Sequence, residues 1–293
     1  MIVVVGSINR DLIVTTETLP VAGETVLASR HIESPGGKGA NQAVAASRLG
    51  AEVAFVGRVG EDDSARMLVA ALADDGVDIS AIARTGAAAT GLAVITVEEA
   101  GENTIVVSAG ANALLSIADV TGAGPLLRAA SVTLLQLEIP VPTVTEAAGV
   151  AGGLVMLNAA PARPLPETLL STLDVLVVNR SELETLTGDS DPAAAAQIPV
   201  PSTVVTVGAE GAVVVTGDAI TVFPAPAVDV VDTTGAGDAF CGALAAAFDA
   251  GMEMDDAVSR AVVAGALATT ALGARSAMPT TEGLEATLRT LGS

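Results

Sequence analysis

The sequence predicts an α/β protein built on a doubly wound sheet. Short runs of Val, Ile and Leu alternate with alanine-rich stretches of helical length along most of the 293 residues. Runs that are apolar at every position are typical of strands buried on both faces. Several helical stretches end at a glycine, as at Gly50, Gly76 and Gly188, which suits a helix C-terminus. This β-then-α alternation favours right-handed crossovers with helices on both faces of the sheet.

The elements follow in chain order. The predicted strands are residues 2–5, 53–56, 132–137, 154–157, 175–178, 204–207 and 227–231. The predicted helices between them are residues 39–49, 64–74, 142–150, 181–186 and the short run 193–196. From Gly235 onward the pattern is helical, over residues 235–248, 255–270 and 282–290.

Two segments interrupt the alternation. Residues 11–34 contain β-prone pieces at 12–16 and 25–28, without a helical pattern. Residues 91–107 are typical of a hairpin that turns at Glu99-Ala100-Gly101-Glu102. We expect the two segments to form a small β layer outside the main sheet, acting as a lid or as a subunit contact.

Composition limits the classes of function. Apolar residues make up 51% of the chain, but the densest apolar stretches are shorter than the ~18 residues of a membrane-spanning helix, so we expect no membrane association. A net charge of −21, without Tyr or Trp, argues against nucleic-acid binding. The start of the chain lacks a basic region and reaches Asn9 too soon for a signal peptide, and the single cysteine excludes an internal disulfide. We therefore expect a cytoplasmic protein.

Any phosphate site in so acidic a chain must act locally, through backbone amides, helix N-termini and a metal ion. The run Asp232-Thr233-Thr234-Gly235-Ala236-Gly237-Asp238 offers such a site, because its glycines precede a predicted helix whose first amides are free. Asp238 would lie beside a bound anion, in position to take a proton from a hydroxyl that attacks a γ-phosphate. The alternative is a tight turn in which Asp238 only starts the helix.

A second glycine-rich run, Gly36-Gly37-Lys38-Gly39-Ala40-Asn41-Gln42, precedes another predicted helix. It differs from a Walker P-loop because Gly39, rather than Ser or Thr, follows the lysine. Lys38 is the only lysine in the chain, which favours a compact ammonium in a turn too tight for a guanidinium. Asn41 can hydrogen-bond sugar hydroxyls. The alternative is a flexible surface turn.

Polar side chains also follow other predicted strands, at the edge where open α/β sheets bind ligands. Asn9 and Asp11 point the same way and offer an amide and a carboxylate to vicinal hydroxyls, and Glu138 ends another strand. Asn179 and Glu182 lie three residues apart at a helix start, so both face one side and can hold Mg²⁺ through water.

Three further features have weaker interpretations. The turn Thr206-Val207-Gly208-Ala209-Glu210-Gly211 can flank a nucleotide, although hairpins of this kind are common. His31 is interpreted as a surface or interface residue, and Cys241 as a small buried apolar residue. We expect neither to act in catalysis.

Four runs, in order and spacing, resemble the carbohydrate kinases of the ribokinase type over nearly the whole chain. They are Gly6-Ser7-Ile8-Asn9-Arg10-Asp11, residues 36–43, Asn158-Ala159-Ala160-Pro161-Ala162 and residues 232–238. The resemblance implies a three-layer α/β/α doubly wound sandwich with a small β-sheet lid that forms a homodimer contact. Residues 1–10, 35–90 and 109–293 would then form the core, with the ATP and catalytic sites, and residues 11–34 and 91–108 the lid.

The resemblance also implies a role for individual residues. Around the sugar it implies Asn9, Asp11, Gly37, Lys38, Gly39, Ala40, Asn41, Glu138 and Asp238. Along ATP it implies Asn179, Thr206, Val207, Gly208, Ala209, Glu210, Gly211 and Gly237, with Glu182 near Mg²⁺. Beside an activating K⁺ it implies Asp232, Thr234, Ala268, Ala271, Gly273 and Ala277.

The expected reaction is the phosphorylation of D-ribose at its 5-hydroxyl by ATP, with Asp238 as base and an anion hole at Gly235, Ala236 and Gly237. Three positions depart from the family pattern. Ala159 stands where many relatives have proline, Arg10 replaces a small or apolar residue, and Ala277 stands where a serine oxygen is often found.

Rival hypotheses remain open. One is the same chemistry on deoxyribose, a nucleoside or pseudouridine. Another is a non-catalytic sugar sensor, against which Asp238 and the Asn179–Glu182 pair argue, because binding alone needs neither a base nor a metal. A Rossmann dehydrogenase is a third, but no Gly-x-Gly-x-x-Gly follows the first strand.

Overall fold

A computed structural model describes residues 1–98 and 103–291 of the chain. The strands in this part of the chain are β1 (Ile2–Val5), β2 (Asn9–Thr16), β3 (Ala28–Gly36), β4 (Val53–Gly60), β5 (Asp78–Thr85), β6 (Gly91–Glu98), β7 (Asn103–Ser108), β8 (Val132–Gln136), β9 (Leu154–Asn158), β10 (Val175–Asn179), β11 (Ser202–Thr206), β12 (Ala212–Thr216) and β13 (Ala219–Phe223). The helices there are α1 (Lys38–Arg48), α2 (Asp63–Asp74), α3 (Ile117–Gly122), α4 (Gly124–Ala129), α5 (Val141–Val150), α6 (Glu167–Leu170), α7 (Arg180–Thr187), α8 (Ala236–Asp249), α9 (Met254–Leu267) and α10 (Thr281–Leu291).

The larger sheet has the strand order β13-β12-β11-β10-β9-β8-β1-β4-β5. Its strands from β11 to β5 run parallel, and β12 and β13 are antiparallel additions at one edge. The chain moves from β1 outward to β5, then returns to β8 on the other side of β1. This reversal leaves a crevice at the carboxyl ends of β1 and β8, which is where open α/β sheets bind ligands.

Helices cover both faces of the larger sheet, as the fully apolar strands require. In β1, Ile2 and Val4 pack into one core with α1, α2, α8 and α9. Val3 and Val5 face the opposite core, which contains residues from α3 to α7. All four side chains are completely buried. The predicted three-layer α/β/α sandwich is therefore confirmed.

The smaller sheet has the order β3-β2-β6-β7 and contains the two segments that interrupt the alternation. Its β2 pairs in parallel with β6 and antiparallel with β3, and β7 lies at the far edge. Only Gly6, Ser7 and Ile8 separate β1 of the large sheet from β2 of the small one. The predicted small β layer is confirmed, and its predicted turn at Glu99–Glu102 lies outside the described residues.

Two predictions of local structure are wrong. Residues 227–231 form no strand, and the edge strand β13 ends before them, at Phe223. Pro224 and Pro226 cannot donate to a sheet ladder, and the Val231 amide donates instead to the Thr269 carbonyl at 2.8 Å. Residues 25–27 precede β3, which begins at Ala28. Residues 9–11 follow β1 as predicted and open β2 of the small sheet.

No helix in the described part of the chain combines the length and the apolar character needed to cross a membrane.

Candidate active site

Two helices begin at the crevice, and each has a glycine at its N-cap. Gly37 precedes α1 with φ 90°, and Gly235 precedes α8 with φ 82°. A side chain at Gly235 would also collide with the loop that follows α9, since a Cβ there would lie 2.8 Å from the Cα of Ala274. The amides of Gly235, Gly237 and Asp238 make no hydrogen bond to another described residue, whereas the Ala236 amide donates to the Thr233 carbonyl at 3.3 Å. Free amides at a helix N-terminus form an anion site.

Asp238 lies in the first turn of α8, where its side chain is 8% exposed. Its carboxylate is held by two amides of α1. Oδ2 accepts from Nδ2 of Asn41 at 3.0 Å, and Oδ1 accepts from Nε2 of Gln42 at 3.0 Å. Both donors are buried, so the bonds form away from competing water. The carboxylate therefore has a fixed orientation in the crevice.

Gln42 belongs to a buried amide network that reaches the large sheet. Its Nε2 also donates to Oδ1 of Asn158 at 3.1 Å, and its Oε1 accepts from Nε2 of Gln136 at 2.8 Å. Gln136 ends β8 and Asn158 ends β9. The network thus fixes the height of α1, and with it Asp238, above the carboxyl ends of two parallel strands.

Glu138 follows β8 and is anchored to the start of α1. Its Oε2 accepts from the Ser7 hydroxyl at 2.5 Å and from the Lys38 amide at 3.1 Å. The Ser7 hydroxyl oxygen accepts in turn from the Gly39 amide at 3.3 Å. Its contact with the Lys38 amide places this carboxylate at the positive end of the α1 dipole, which stabilises negative charge.

Asn9 and Asp11 enter the same region from β2, with side chains 2% and 8% exposed. Asn112 holds Asn9 by donating from Nδ2 to its Oδ1 at 2.8 Å. A side chain at Gly36 would meet the Asp11 carboxyl, since a Cβ there would lie 2.0 Å from Oδ2. Burial, together with the charges of Glu138 and Asp238, raises the pKa of Asp11 to about 7, although the Arg275 guanidinium acts in the opposite direction.

Lys38 is a second cation among these carboxylates, besides Arg275. Burial alone would disfavour its ammonium form, but the charges of Asp238, Glu138 and Glu182 outweigh burial and raise the pKa of Lys38 above its ordinary value. The side chain is therefore charged at neutral pH, beside Asp238 and Glu138.

The predicted nucleotide residues follow the neighbouring strands. Asn179 ends β10 and lies opposite Thr206, which ends β11. Asn179 and Glu182 form a capping box, in which each side chain accepts the other's backbone amide at 2.8 Å. One oxygen of Glu182 is thus engaged, and burial raises the pKa of its carboxyl against the effects of the Asn179 amide and Lys38. Residues Val207, Gly208, Ala209, Glu210 and Gly211 form one tight turn.

The predicted potassium residues lie in two segments that Asp232 ties together. Its Oδ1 accepts from the Thr234 amide at 2.9 Å, and its Oδ2 accepts from the Gly273 amide at 2.8 Å. Although burial opposes the charge, these hydrogen bonds lower the pKa of Asp232 below its ordinary value. Ala268, Ala271 and Ala277 have only backbone oxygens to offer, in keeping with the carbonyl ligands that such a cation uses.

Several residues of this site were not predicted from the sequence. They are Ser7, Gln42, Asn112, Gln136, Asn158 and Arg275. Gln42 lies in the glycine-rich run of residues 36–42, and Asn158 lies in one of the runs that resemble the family. Neither residue had a role assigned from the sequence. His31 is exposed, and Cys241 is buried with a pKa raised well above its ordinary value by burial and by Asp238, which leaves it protonated.

Comparison with known proteins gives a consistent result. The family model described as pfkB family carbohydrate kinase matches residues 1–281. Ribokinase from Haemophilus influenzae is 36% identical, with 94% of each chain covered, and deoxyribokinase from Salmonella typhi is 36% identical, with 96% of each covered. A bifunctional ribokinase/ribose-5-phosphate isomerase A from Fructilactobacillus sanfranciscensis is 37% identical over 97% of this chain, which spans 55% of that longer protein.

Solved structures of similar fold include two ribokinases. That from Thermotoga maritima has a TM-score of 0.92 at 35% identity, covering 98% of this chain and 99% of the other. That from Arabidopsis thaliana, solved in complex with ribose and ATP, has a TM-score of 0.89 at 34% identity, with 98% of each chain covered.

Proposed function

Because the chain belongs to the pfkB family of carbohydrate kinases, we propose that it transfers the γ-phosphoryl group of ATP to the 5-hydroxyl of D-ribose. The products are D-ribose 5-phosphate and ADP. The observation that carries this proposal is the Asp238 carboxylate, held by two buried amides at the start of a helix whose first amides are free.

Asp238 acts as the general base in this proposal. It accepts the proton of the sugar hydroxyl as the oxygen attacks the phosphorus, and the bond from phosphorus to the ADP oxygen breaks. Free amides of Gly235 and Gly237 donate to oxygens of the transferring phosphoryl group and stabilise its charge. The ammonium of Lys38 lies near the same carboxylates and adds a compact positive charge.

The sugar is held by residues of both sheets. Asn9 and Asp11 from β2, with Asn41 and Glu138 from the large domain, donate to or accept from its hydroxyls. Gly37, Gly39 and Ala40 bring the backbone of α1 close to it. The division into a core of residues 1–10, 35–90 and 109–293 and a lid of 11–34 and 91–108 stays part of this proposal.

ATP lies along the carboxyl ends of β10 and β11 in this proposal. Asn179, the turn from Thr206 to Gly211, and Gly237 flank it. Glu182 fits Mg²⁺ as a ligand acting through water, because one of its carboxylate oxygens is not used by the capping box. The described residues offer no cluster of three or more acidic, His or Cys side chains for a metal, which suits an ion carried mainly by phosphates and water. When bound, Mg²⁺ neutralises charge on the phosphates.

A potassium ion fits the paired segments around Asp232. The carboxylate is ionised and already joined to both segments, and the carbonyls near Thr234, Ala268, Ala271 and Gly273 are the type of ligand that K⁺ prefers. Ala277 supplies no hydroxyl, and the adjacent Ser276 hydroxyl is turned to the Leu272 and Gly273 carbonyls. We further place the enzyme in the cytoplasm, where ATP is available, as a homodimer that meets through the small sheet.

The decisive experiment is an assay of ADP release with a panel of acceptors. Wild-type protein should turn over ribose faster than 2-deoxyribose, a nucleoside or pseudouridine, and faster with K⁺ than with an inert cation. Since deoxyribokinase is as similar as ribokinase to this chain, faster turnover of deoxyribose would reassign the acceptor. Sugar binding with no ADP release from any acceptor would favour the sensor hypothesis.

The variant Asp238→Asn tests the base. It keeps the shape of the side chain but cannot take the proton, so turnover should fall by about 10²–10⁴-fold while calorimetry still detects sugar binding. Turnover within a few-fold of the wild type would contradict the assignment.

A further inference from the structure

Arg275 is a buried cation that no part of the mechanism above uses. Its side chain is 8% exposed, and its Nε donates to Oδ1 of Asn41 at 3.2 Å. Its two terminal nitrogens are buried and have no hydrogen-bond partner among the described residues. Burying a charged group with unmet donors is costly, so its presence calls for a functional explanation.

The residue reaches the site along α1. Its carbonyl accepts from Nη1 of Arg48, near the C-terminal end of the helix, and its guanidinium contacts Asn41, near the N-terminal end. Arg48 is itself paired with Asp75 at 2.8 Å. The backbone of Arg275 is therefore tied to α1 at one end, which leaves the side chain directed to the catalytic end.

Asn41 is the link between this cation and Asp238. The oxygen of its side-chain amide accepts from Arg275, and the nitrogen of the same amide donates to Oδ2 of Asp238. If the amide turned over, its oxygen would face the carboxylate and its NH₂ would face the guanidinium. Both contacts would then be repulsive and two hydrogen bonds would be lost, one to each charged group.

Asp238 is held by two chains of hydrogen bonds, the Gln42 arm and the Asn41 arm, and different groups stand at their far ends. The Gln42 arm ends in the neutral amides of Gln136 and Asn158. The Asn41 arm ends in a guanidinium, which has only donors. Burial lowers the pKa of Arg275 to about 10, so the group stays protonated at neutral pH. The Arg275 guanidinium therefore fixes which way the Asn41 amide faces.

We propose that Arg275 is a positioning residue, which locks the Asn41 amide and through it orients the Asp238 carboxylate towards the reacting hydroxyl. This inference rests on the proposed function, because it takes Asp238 to be the base. Arg275 does not touch the reacting atoms. It holds the Asp238 carboxylate in one orientation while ATP and sugar bind and are released.

A double-mutant cycle tests the proposal. Arg275→Met removes the guanidinium that fixes the Asn41 amide, and Asn41→Ala removes the amide that joins Arg275 to Asp238. A carboxylate displaced by a fraction of an ångström to about 1 Å should lose about 10- to 100-fold in kcat in either variant. Because both changes break the same chain of contacts, the double variant should be no slower than the worse single variant, within about threefold. Arg275→Lys should recover part of the loss, since it restores a charged donor.

The control is Arg58→Met, which breaks the partly buried ion pair between Arg58 and Asp119 at 2.6 Å, a pair that includes no residue of the site. It should lower the free energy of unfolding without changing kcat beyond twofold. If Arg275→Met does not fold, the cycle is run with Arg275→Gln.

The outcomes separate the two proposals. Losses in kcat that multiply in the double variant, or an Arg275→Met enzyme with wild-type kcat, overturn the role of Arg275 and leave the proposed function intact. A wild-type protein that releases no ADP with any acceptor defeats the proposed function, and the role of Arg275 falls with it.

Discussion

Asp11 shows how the environment of one side chain changes its chemistry. Burial, and the nearby carboxylates of Glu138 and Asp238, raise its pKa to about 7 from 3.8. Between these two pH values the folded protein holds a proton on Asp11 that the unfolded chain releases. The free energy of unfolding therefore decreases as the pH rises through this window, because the native state then binds more protons than the unfolded state.

The variant Asp11→Asn should remove this dependence. Near pH 4 the wild-type carboxyl is protonated in the folded state, so the two proteins should have similar unfolding free energies. At pH 8 the variant should be more stable, by at most about 4 kcal/mol, which is the limit set by a shift of about three units. Urea unfolding at pH 4.5, 6 and 8 measures the difference. The exposed Asp218→Asn is the control, and parallel curves for Asp11→Asn and wild type would contradict the prediction.

At the scale of elements, the site depends on how closely α1 and α8 approach. They cross at Gly242, where an added Cβ would lie 2.5 Å from the Cβ of Ala45 and 2.6 Å from the carbonyl oxygen of Gln42. The same approach brings Asn41 and Gln42 within 3.0 Å of Asp238. The packing of α1 against α8 therefore also sets the hydrogen bonds that orient Asp238.

Gly242→Ala should separate the two helices and stretch both hydrogen bonds to Asp238. Overpacking of this kind typically costs about 1–3 kcal/mol, and turnover should fall with it. Gly149→Ala in α5 is a matched control, because nothing lies within 4 Å of a Cβ at that position. It should be neutral or stabilising by up to about 1 kcal/mol. Chemical denaturation and ADP release measure both effects, and equal behaviour of the two variants would refute the packing argument.

The elements that the sequence predicted best are those buried on both faces. β1, β8, β9 and β10 consist almost wholly of β-branched and aliphatic residues, so composition alone distinguished them. Residues 227–231 are also rich in valine but pair with no strand, because strand pairing depends on neighbours that the local sequence does not specify.

The sequence predicted those parts of the candidate site whose residue types and spacing indicate a chemical role. Asp238, Lys38 and Asn41 stand in glycine-rich runs, and the structure brings them together at one sheet edge. Arg275 lies between the predicted potassium residues Gly273 and Ala277, and Gln136 lies two residues before Glu138, but the sequence assigned no role to either. Their roles arise from contacts between segments more than 90 residues apart in the chain.

At the scale of the whole molecule, the small sheet leaves an apolar edge uncovered. In β7, Ile105, Val106 and Val107 are 56%, 70% and 48% exposed. Consecutive residues of a strand point to opposite faces, so both faces of this edge meet solvent. An unpaired apolar edge strand favours association with another chain, which supports the proposed dimer contact.

Val106→Asp should therefore dissociate the dimer. Sedimentation equilibrium should give twice the 28.7 kDa chain mass for the wild type and a value near the chain mass for the variant. Ile220→Asp, at an exposed apolar position of β13 outside the small sheet, should keep the wild-type mass. A wild-type protein that sediments as a monomer at micromolar concentration would exclude the contact.

The three-residue link between β1 and β2 has a consequence for how acceptor preference can change. Asn9 and Asp11 belong to the small sheet, whereas Asp238 and its supporting amides belong to the large domain. Selection can therefore alter the strands that touch the acceptor and leave the phosphoryl-transfer machinery untouched. A chimera that carries the small sheet of a relative should change the choice of acceptor only through the contacts of Asn9 and Asp11, because Asn41 and Glu138 of the large domain also hold the sugar. Its phosphoryl-transfer step should stay that of this chain.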